Sequence, residues 1–409
     1  VIAGPAAAPR LYDAGAVALA LVAPAMALAN RSSPLVIGIA ALLFLAGAIA
    51  EQGGRAASLL IGPLRSPLGL AALAFLGWCL VSLAWSPFPA LWGRVLSEFL
   101  PTLVAAAILA RLAPGRLPSW APPLGAGLLA AACLYMAGSL ALGLAPQAWL
   151  GQRVALFMFN RPLLTVLLLA GPLAAFLALR GRRLAALLLL ALAALAILRS
   201  ISGAATLGLL AGAVMFGIGR FAPRAAALAL AALILGLAFA LAPVEGDLLH
   251  RLMPEAAHER LTQSSSRARV AIAQSFGAAV AQAPWIGSGY GMGLRFAEVP
   301  AAQALEPEMR AMLAVGHPHN TFLQIWSELG VVGAGLAALV AFLALRAAAA
   351  LPRLLFATAL GLTGAAVAVM FVEHGAWQGW WTAGCGAAIT WLRAAACARP
   401  AGESAGERV

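Results

Sequence analysis

Gly316-His317-Pro318-His319-Asn320-Thr321-Phe322-Leu323-Gln324-Ile325-Trp326-Ser327-Glu328-Leu329-Gly330 is the stretch where this chain changes character. A long polar segment ends there and an apolar run begins at once. Thr321-Phe322-Leu323-Gln324 has the form of a capping box, which starts a helix just after Asn320. The run continues to residue 345, and a helix needs roughly 20 apolar residues to cross a bilayer. His319 is therefore expected at a membrane surface and at a helix N-terminus, where the dipole favours the neutral imidazole a general base requires.

The same kind of apolar run recurs along the chain. Of 409 residues, 63% are hydrophobic and 10% charged, which excludes an ordinary soluble protein. The short alternating segments of a β-barrel are missing from the pattern. Apolar stretches fall near 14–30, 34–50, 67–84, 92–110, 121–143, 162–179, 184–199, 202–219, 224–242, 321–345, 354–372 and 376–392. The expected fold class is an all-α polytopic membrane protein with about 12 transmembrane helices and one long helical loop. The expected units are 1–242 with the first nine spans, a loop domain at 243–320, the last three spans at 321–395, and a tail at 396–409.

All 26 basic residues are Arg, and the net charge is +12. The arginines are spread between spans, so topology accounts for most of them and no nucleic-acid partner is expected. One set of short connections and tails holds fifteen: Arg10, Arg55, Arg65, Arg111, Arg116, Arg180, Arg182, Arg183, Arg220, Arg224, Arg346, Arg353, Arg393, Arg399 and Arg408. The other side holds only Arg31, Arg94, Arg153, Arg161 and Arg199 in its short connections. The positive-inside rule puts both termini in the cytoplasm and 243–320 outside. In a Gram-negative cell that is the periplasmic face of a multi-pass protein among inner-membrane lipids. Trp377, Trp380 and Trp381 are placed as an interfacial aromatic belt would be. Cys79, Cys133 and Cys385 fall in or near apolar runs and, with Cys397, have no metal-ligand spacing. No metal and no cofactor is expected.

Arg94, Arg153, Arg161 and Arg199 oppose the topological trend. Arg suits bidentate capture of phosphate oxygens, and an outer ring of Arg would hold a phosphorylated, membrane-anchored ligand. Each taken singly can equally snorkel to lipid phosphates. Arg267 and Arg269 follow Ser264-Ser265-Ser266, which supplies helix caps, and the run to Val280 has an apolar stripe at Val270, Ala273, Gly277 and Val280. A cation in the first helical turn opposes the dipole, and a bound anion would reverse that penalty. Residues two apart on a helix diverge, so only one of the two arginines can face a site. His317 and His319, with no Cys or carboxylate beside them in sequence, make a poor metal site. Glu328 is an ionisable group deep in an apolar run, where pairing or function is expected. The glycines at 287, 289, 291 and 293 follow no βαβ strand and are expected to permit tight turns rather than cradle a nucleotide.

Arg269, then Pro284-Trp285-Ile286-Gly287-Ser288-Gly289, then His319-Asn320-Thr321-Phe322-Leu323 and Glu328-Leu329-Gly330, resemble the shared domain of O-antigen ligases and Wzy-type O-antigen polymerases. Ser82-Leu83-Ala84-Trp85-Ser86-Pro87 is similar to that family's outer turn after the third span. Ser202-Gly203-Ala204 is similar to the start of a later span, and Ala273 stands where many relatives carry an aromatic. The resemblance implies a GT-C-like, metal-independent, inverting glycosyltransferase. Its donor would be an undecaprenyl-pyrophosphate-linked O-antigen and, for a ligase, its acceptor a lipid A-core sugar hydroxyl. It implies His319 as general base and Arg269 on the diphosphate leaving group. Arg153, Arg161, Arg267, Arg94, Arg199, His317 and Asn320 are then expected to bind substrate. A polymerase would carry paired arginine-rich outer loops, and only one long outer loop is read here, which tilts toward the ligase. A protein O-oligosaccharyltransferase would carry a larger C-terminal region. A lipid-linked oligosaccharide flippase would place ionisable residues along an intramembrane path.

Overall fold

The computed structural model describes residues 7–260, 265–373 and 375–398, without the side chains at 94, 95, 257, 258 and 260. The chain is an all-α polytopic membrane protein, and the described residues contain no strand. Each of the twelve apolar stretches is helical. Among the described residues, nine helices are long and apolar enough to span a membrane: Ser33–Gln52, Pro67–Trp85, Pro89–Leu112, Ala121–Ala141, Leu156–Leu179, Gly203–Phe221, Arg224–Leu252, Thr321–Ala348 and Arg353–Val372. A tenth arises if Ala8–Ala20 and Val22–Leu28, bent by 44°, count as one span. Pro24 explains the bend, because it has no N–H to donate to the carbonyl of Ala20. The expected twelve are thus reduced by length and composition: Arg183–Leu198 is only 16 residues, and Gly379–Cys397 stands outside the apolar set.

Small residues let spans approach closely, which is how helices associate where water supplies no drive. A Cβ on Gly361 would lie 3.0 Å from the carbonyl oxygen of Gly212, so Gly203–Phe221 and Arg353–Val372 meet backbone to backbone.

The segment 243–320 is a run of short helices. Arg224–Leu241 continues through a 3-10 turn at Ala242–Val244 into Glu245–Leu252, and Glu255–Arg260 follows. Ser266–Gln282 is the longest helix of the segment, and Gly293–Glu298, Pro300–Gln303 and Pro307–Leu313 complete it. Ser266–Gln282 buries Val270, Ile272, Ala273, Phe276, Ala279 and Val280 in a cluster shared with Cys79, Leu83, Phe239 and Phe322 from three spans. The expected stripe is present, with Phe276 and Ile272 added to it. A Cβ on Gly246 would come within 2.6 Å of the backbone carbon of Ala273, so the helices are in backbone contact there. That contact brings Glu245–Leu252 against Ser266–Gln282 at the very position where relatives are expected to carry an aromatic.

Trp380 and Trp381 are each 6% exposed. Trp377 packs on Phe75, Phe99 and Tyr290, with ring centroids 6.2, 5.4 and 4.5 Å away. These tryptophans line the protein interior; the expected lipid-facing belt is not what they form.

Candidate functional site

The long span Thr321–Ala348 is broken at Gly330, whose backbone (φ 64°, ψ −166°) is not helical. A break inside a membrane span exposes backbone groups that must be paired by protein. The Pro284–Gly293 strip does this. The N–H groups of Ser288 and Gly289 donate to the carbonyls of Ser327 and Glu328 (3.0 and 2.8 Å), and Val331 N–H donates to the carbonyl of Pro284 (2.8 Å). Two glycines make the crossing possible. A Cβ on Gly330 would fall 2.5 Å from the Ile286 nitrogen, and one on Gly287 would fall 2.5 Å from that of Leu329. Both obstacles are backbone and cannot rotate away. The glycine run therefore permits tight turns, as expected, with positive φ at 287, 289 and 291.

The helix starts at Thr321, as its sequence predicts, but its cap is Asn320. The Asn320 side-chain oxygen accepts from the N–H groups of Phe322 and Leu323 (2.8 and 3.2 Å). Its amide donates to the carboxylate of Glu245, which is also buried. Gln324 does not reach back to the cap; it bonds forward to Glu328. Asn320 is 1% exposed and its hydrogen-bonding groups are engaged in holding the helix start.

That cap sets the residue before it. His319 has φ 56°, the left-handed region that a non-glycine residue adopts at a cost. Its ring meets that of His317 edge to face at 4.3 Å between centroids, with Pro318 between them in the chain. The Nδ1 atoms of both rings are buried without a partner among the described residues. His319 also makes a hydrogen bond to the backbone of Glu373, for which Nε2 is the remaining ring nitrogen. Burial, the neighbouring His317 and the Arg269 guanidinium together push the His319 pKa down to about 4, against that backbone bond. His317 is lowered by burial and by Arg269. The expected neutral imidazole is present, but burial and positive neighbours cause it, where sequence offered only the helix dipole.

Arg269 is in the opening part of Ser266–Gln282, whose N-cap is Ser265, one of the three serines expected to supply it. Its guanidinium donates to the carbonyl of Val372 and to Glu373 Oε2, the latter at 3.2 Å. Arg267 points elsewhere and pairs with the exposed Glu255. Of the two arginines, Arg269 alone meets the histidines, which agrees with their divergence on a helix.

The remaining expected residues divide. Arg161 lies over the Trp380 ring, 5.4 Å from its centroid, and interacts electrostatically with Glu373 and Arg31. It therefore belongs to the field around Glu373. Arg153 is exposed and rests on Phe157, 5.0 Å from the ring centroid. Arg199 is exposed at the end of Arg183–Leu198. The side chain of Arg94 lies outside the described residues, as does Ser264.

Sequence reasoning missed Glu373 and Glu245. Glu373 ends the apolar helix Arg353–Val372, and an acidic residue at such a boundary was the available signal. Its partner Arg269 is 104 residues away in the chain, beyond any local pattern. The result is an assembly in which Arg269 and Arg161 act on one carboxylate, with His319 bonded to the backbone of the same residue and His317 beside His319. Such an excess of cations, with unpartnered imidazole nitrogens, suits an anionic ligand that also presents a hydroxyl group.

No curated protein matches the chain. Residues 186–338 match the family model described as O-antigen ligase. The match takes in Arg269, His317, His319, Glu328 and Gly330, and it stops before Glu373. Residues 186–338 are thus similar to the O-antigen ligase domain, and that similarity supports an O-antigen ligase or polymerase type of function, carried out by a glycosyl-transfer type of enzyme in the membrane.

Proposed function

We propose that this protein is an O-antigen ligase that transfers a glycan from undecaprenyl pyrophosphate to a lipid A-core sugar hydroxyl at the periplasmic face of the bacterial inner membrane. One observation carries this: a histidine kept neutral at the start of a membrane span stands beside an arginine able to bind a diphosphate. In the proposed step the acceptor oxygen attacks the anomeric carbon of the donor. The bond from that carbon to the diphosphate oxygen breaks, and its electron pair leaves with the diphosphate. His319 takes the acceptor's proton, and the anomeric configuration inverts. Arg269 stabilises the charge that grows on the leaving group. Arg161 and Arg153 are assigned to donor or acceptor phosphates, with Arg94, Arg199 and His317 as outer contacts. The proposed reaction uses no metal and no cofactor, in the GT-C manner. Both termini are placed in the cytoplasm, with 243–320 as the periplasmic unit between the membrane units 1–242 and 321–395 and a tail at 396–409.

The test is the lipopolysaccharide profile of a strain lacking the gene, complemented with wild type or with His319→Ala. A ligase loss leaves free core and accumulates lipid-linked O-antigen polymer, and wild type alone restores capped core. Core bearing a single repeat would instead identify a polymerase, and a normal profile would reject both. Accumulation of donor on the cytoplasmic face would identify a flippase.

A further inference from the structure

Glu328 lies inside a membrane span, is completely buried, and takes no part in the proposed chemistry. Every hydrogen bond it makes is one it accepts. Oε2 accepts from the Gly291 N–H (2.6 Å) and the Trp377 indole N–H (2.7 Å). Oε1 accepts from the Gln324 amide (2.7 Å). The backbone of Gly293 adds a further hydrogen bond. Gln324 then passes the polarity on, because its own oxygen accepts the N–H of Ala376 at 2.8 Å. Only donors surround the carboxyl group, so both of its oxygens serve as acceptors.

These contacts join the three chain segments on which the site stands. Gly291 belongs to the strip crossing the helix break, Gln324 to the helix that begins after His319, and Ala376 and Trp377 to the connection that carries Glu373. We propose that Glu328 is a positioning residue: through Gln324 and Trp377 it fixes the connection after Arg353–Val372, and so sets Glu373 and Val372 against the Arg269 guanidinium. This rests on the assignment of Arg269 to the donor diphosphate.

The polarity of the network makes a sharp test. Glu328→Gln replaces one accepting oxygen by a donating amide of nearly the same shape. If that amide faces Gly291 and Trp377, donor meets donor there. If it faces Gln324, Gln324 must turn its oxygen toward it and oppose its own amide to the Ala376 N–H. Either way at least one buried donor is stranded. Gln324→Glu combined with Glu328→Gln restores the pairings of Gly291, Trp377 and Ala376: the carboxylate moved to position 324 accepts from the new amide and from Ala376, and the oxygen kept at 328 accepts from Gly291 and Trp377.

The experiment measures binding of undecaprenyl diphosphate to purified full-length protein in one detergent, together with kcat and KM for transfer. Glu328→Gln should weaken binding by about tenfold, the lower end of what a stranded buried donor costs. The double exchange should return binding and kcat to within about threefold of wild type, since Gly291, Trp377 and Ala376 again have acceptors. Normal binding by Glu328→Gln overturns the proposal, and so does a double exchange that binds no better than the single variant or does not fold. Arg269→Ala runs alongside. If Arg269→Ala loses binding while Glu328→Gln keeps it, the positioning role fails and the ligase assignment stands. If Arg269→Ala binds normally, the diphosphate assignment fails and takes the positioning role with it.

Discussion

The pH dependence of transfer tests the site most directly. A free histidine titrates near pH 6.5, so at pH 5.5 it is roughly nine-tenths protonated and useless as a base. His319 has its pKa pushed down to about 4 by burial, His317 and Arg269, so at pH 5.5 it is still over roughly nine-tenths neutral. The proposed donor is a diphosphate diester with no proton to lose in this window. The kcat/KM for donor should therefore change by less than about twofold between pH 7.5 and 5.5, and drop about tenfold per unit only below pH 4. Removing a positive neighbour must move the inflection upward, because less repulsion opposes protonation. Arg269→Gln should thus lower activity and also shift its acid limb toward pH 6.5. Stability follows with its own sign. Between pH 6.5 and 4 the unfolded chain binds the proton that native His319 refuses, so stability falls as pH falls through that window. The loss is at most about 3 kcal/mol for a half-buried group, and His319→Asn should abolish that part of the slope. Stopped transfer assays across pH, with thermal melts of the same samples, measure both. A tenfold fall in wild-type kcat/KM between pH 7.5 and 5.5 would refute the assignment of His319 as a buried, neutral base, as would an unmoved inflection in Arg269→Gln.

Other outcomes separate neighbouring residues and test the framework. Arg269→Ala should lose donor binding and turnover, and Arg269→Lys should rescue poorly because an ammonium lacks the planar fork. Arg267→Ala, which breaks only an exposed pair with Glu255, should change stability by less than about 1 kcal/mol and keep near-normal transfer; a loss as large as that of Arg269→Ala would contradict the geometry. Gly330→Ala forces a Cβ against Trp285 and Ile286 at a backbone conformation suited to glycine, and should destabilise by about 4 kcal/mol or more in thermal or denaturant melts. A melt within about 1 kcal/mol of wild type would mean that the crossing is not rigid. In a background without native cysteines, a cysteine at the exposed Ala304 should react with an impermeant thiol reagent once the outer membrane is permeabilised, and one at Gly181 should stay protected. The opposite labelling pattern would remove the site from the periplasm.

The sequence by itself determined that the chain is a helical membrane protein, where most of its helices lie, and where the helix after Asn320 begins. These depend on local quantities: the apolarity of some twenty consecutive residues, a side chain that caps its own helix, and glycine where φ is positive. It also singled out His319 and Arg269, and it indicated that only one of Arg267 and Arg269 can face a site, because helical geometry separates residues two apart; that this one is Arg269 was decided by the fold. Which partners those residues meet was decided by the tertiary fold. Glu373 reaches Arg269 across 104 residues, and Trp377 turns inward to donate to Glu328 rather than facing lipid. No local pattern records such choices, since any buried charge must find a partner and only packing determines which one is within reach. The His319 pKa belongs to the same class. A capping motif can suggest a neutral imidazole, but its depth of burial and the two positive groups beside it exist only once Ser266–Gln282 and the connection after Arg353–Val372 have closed around it.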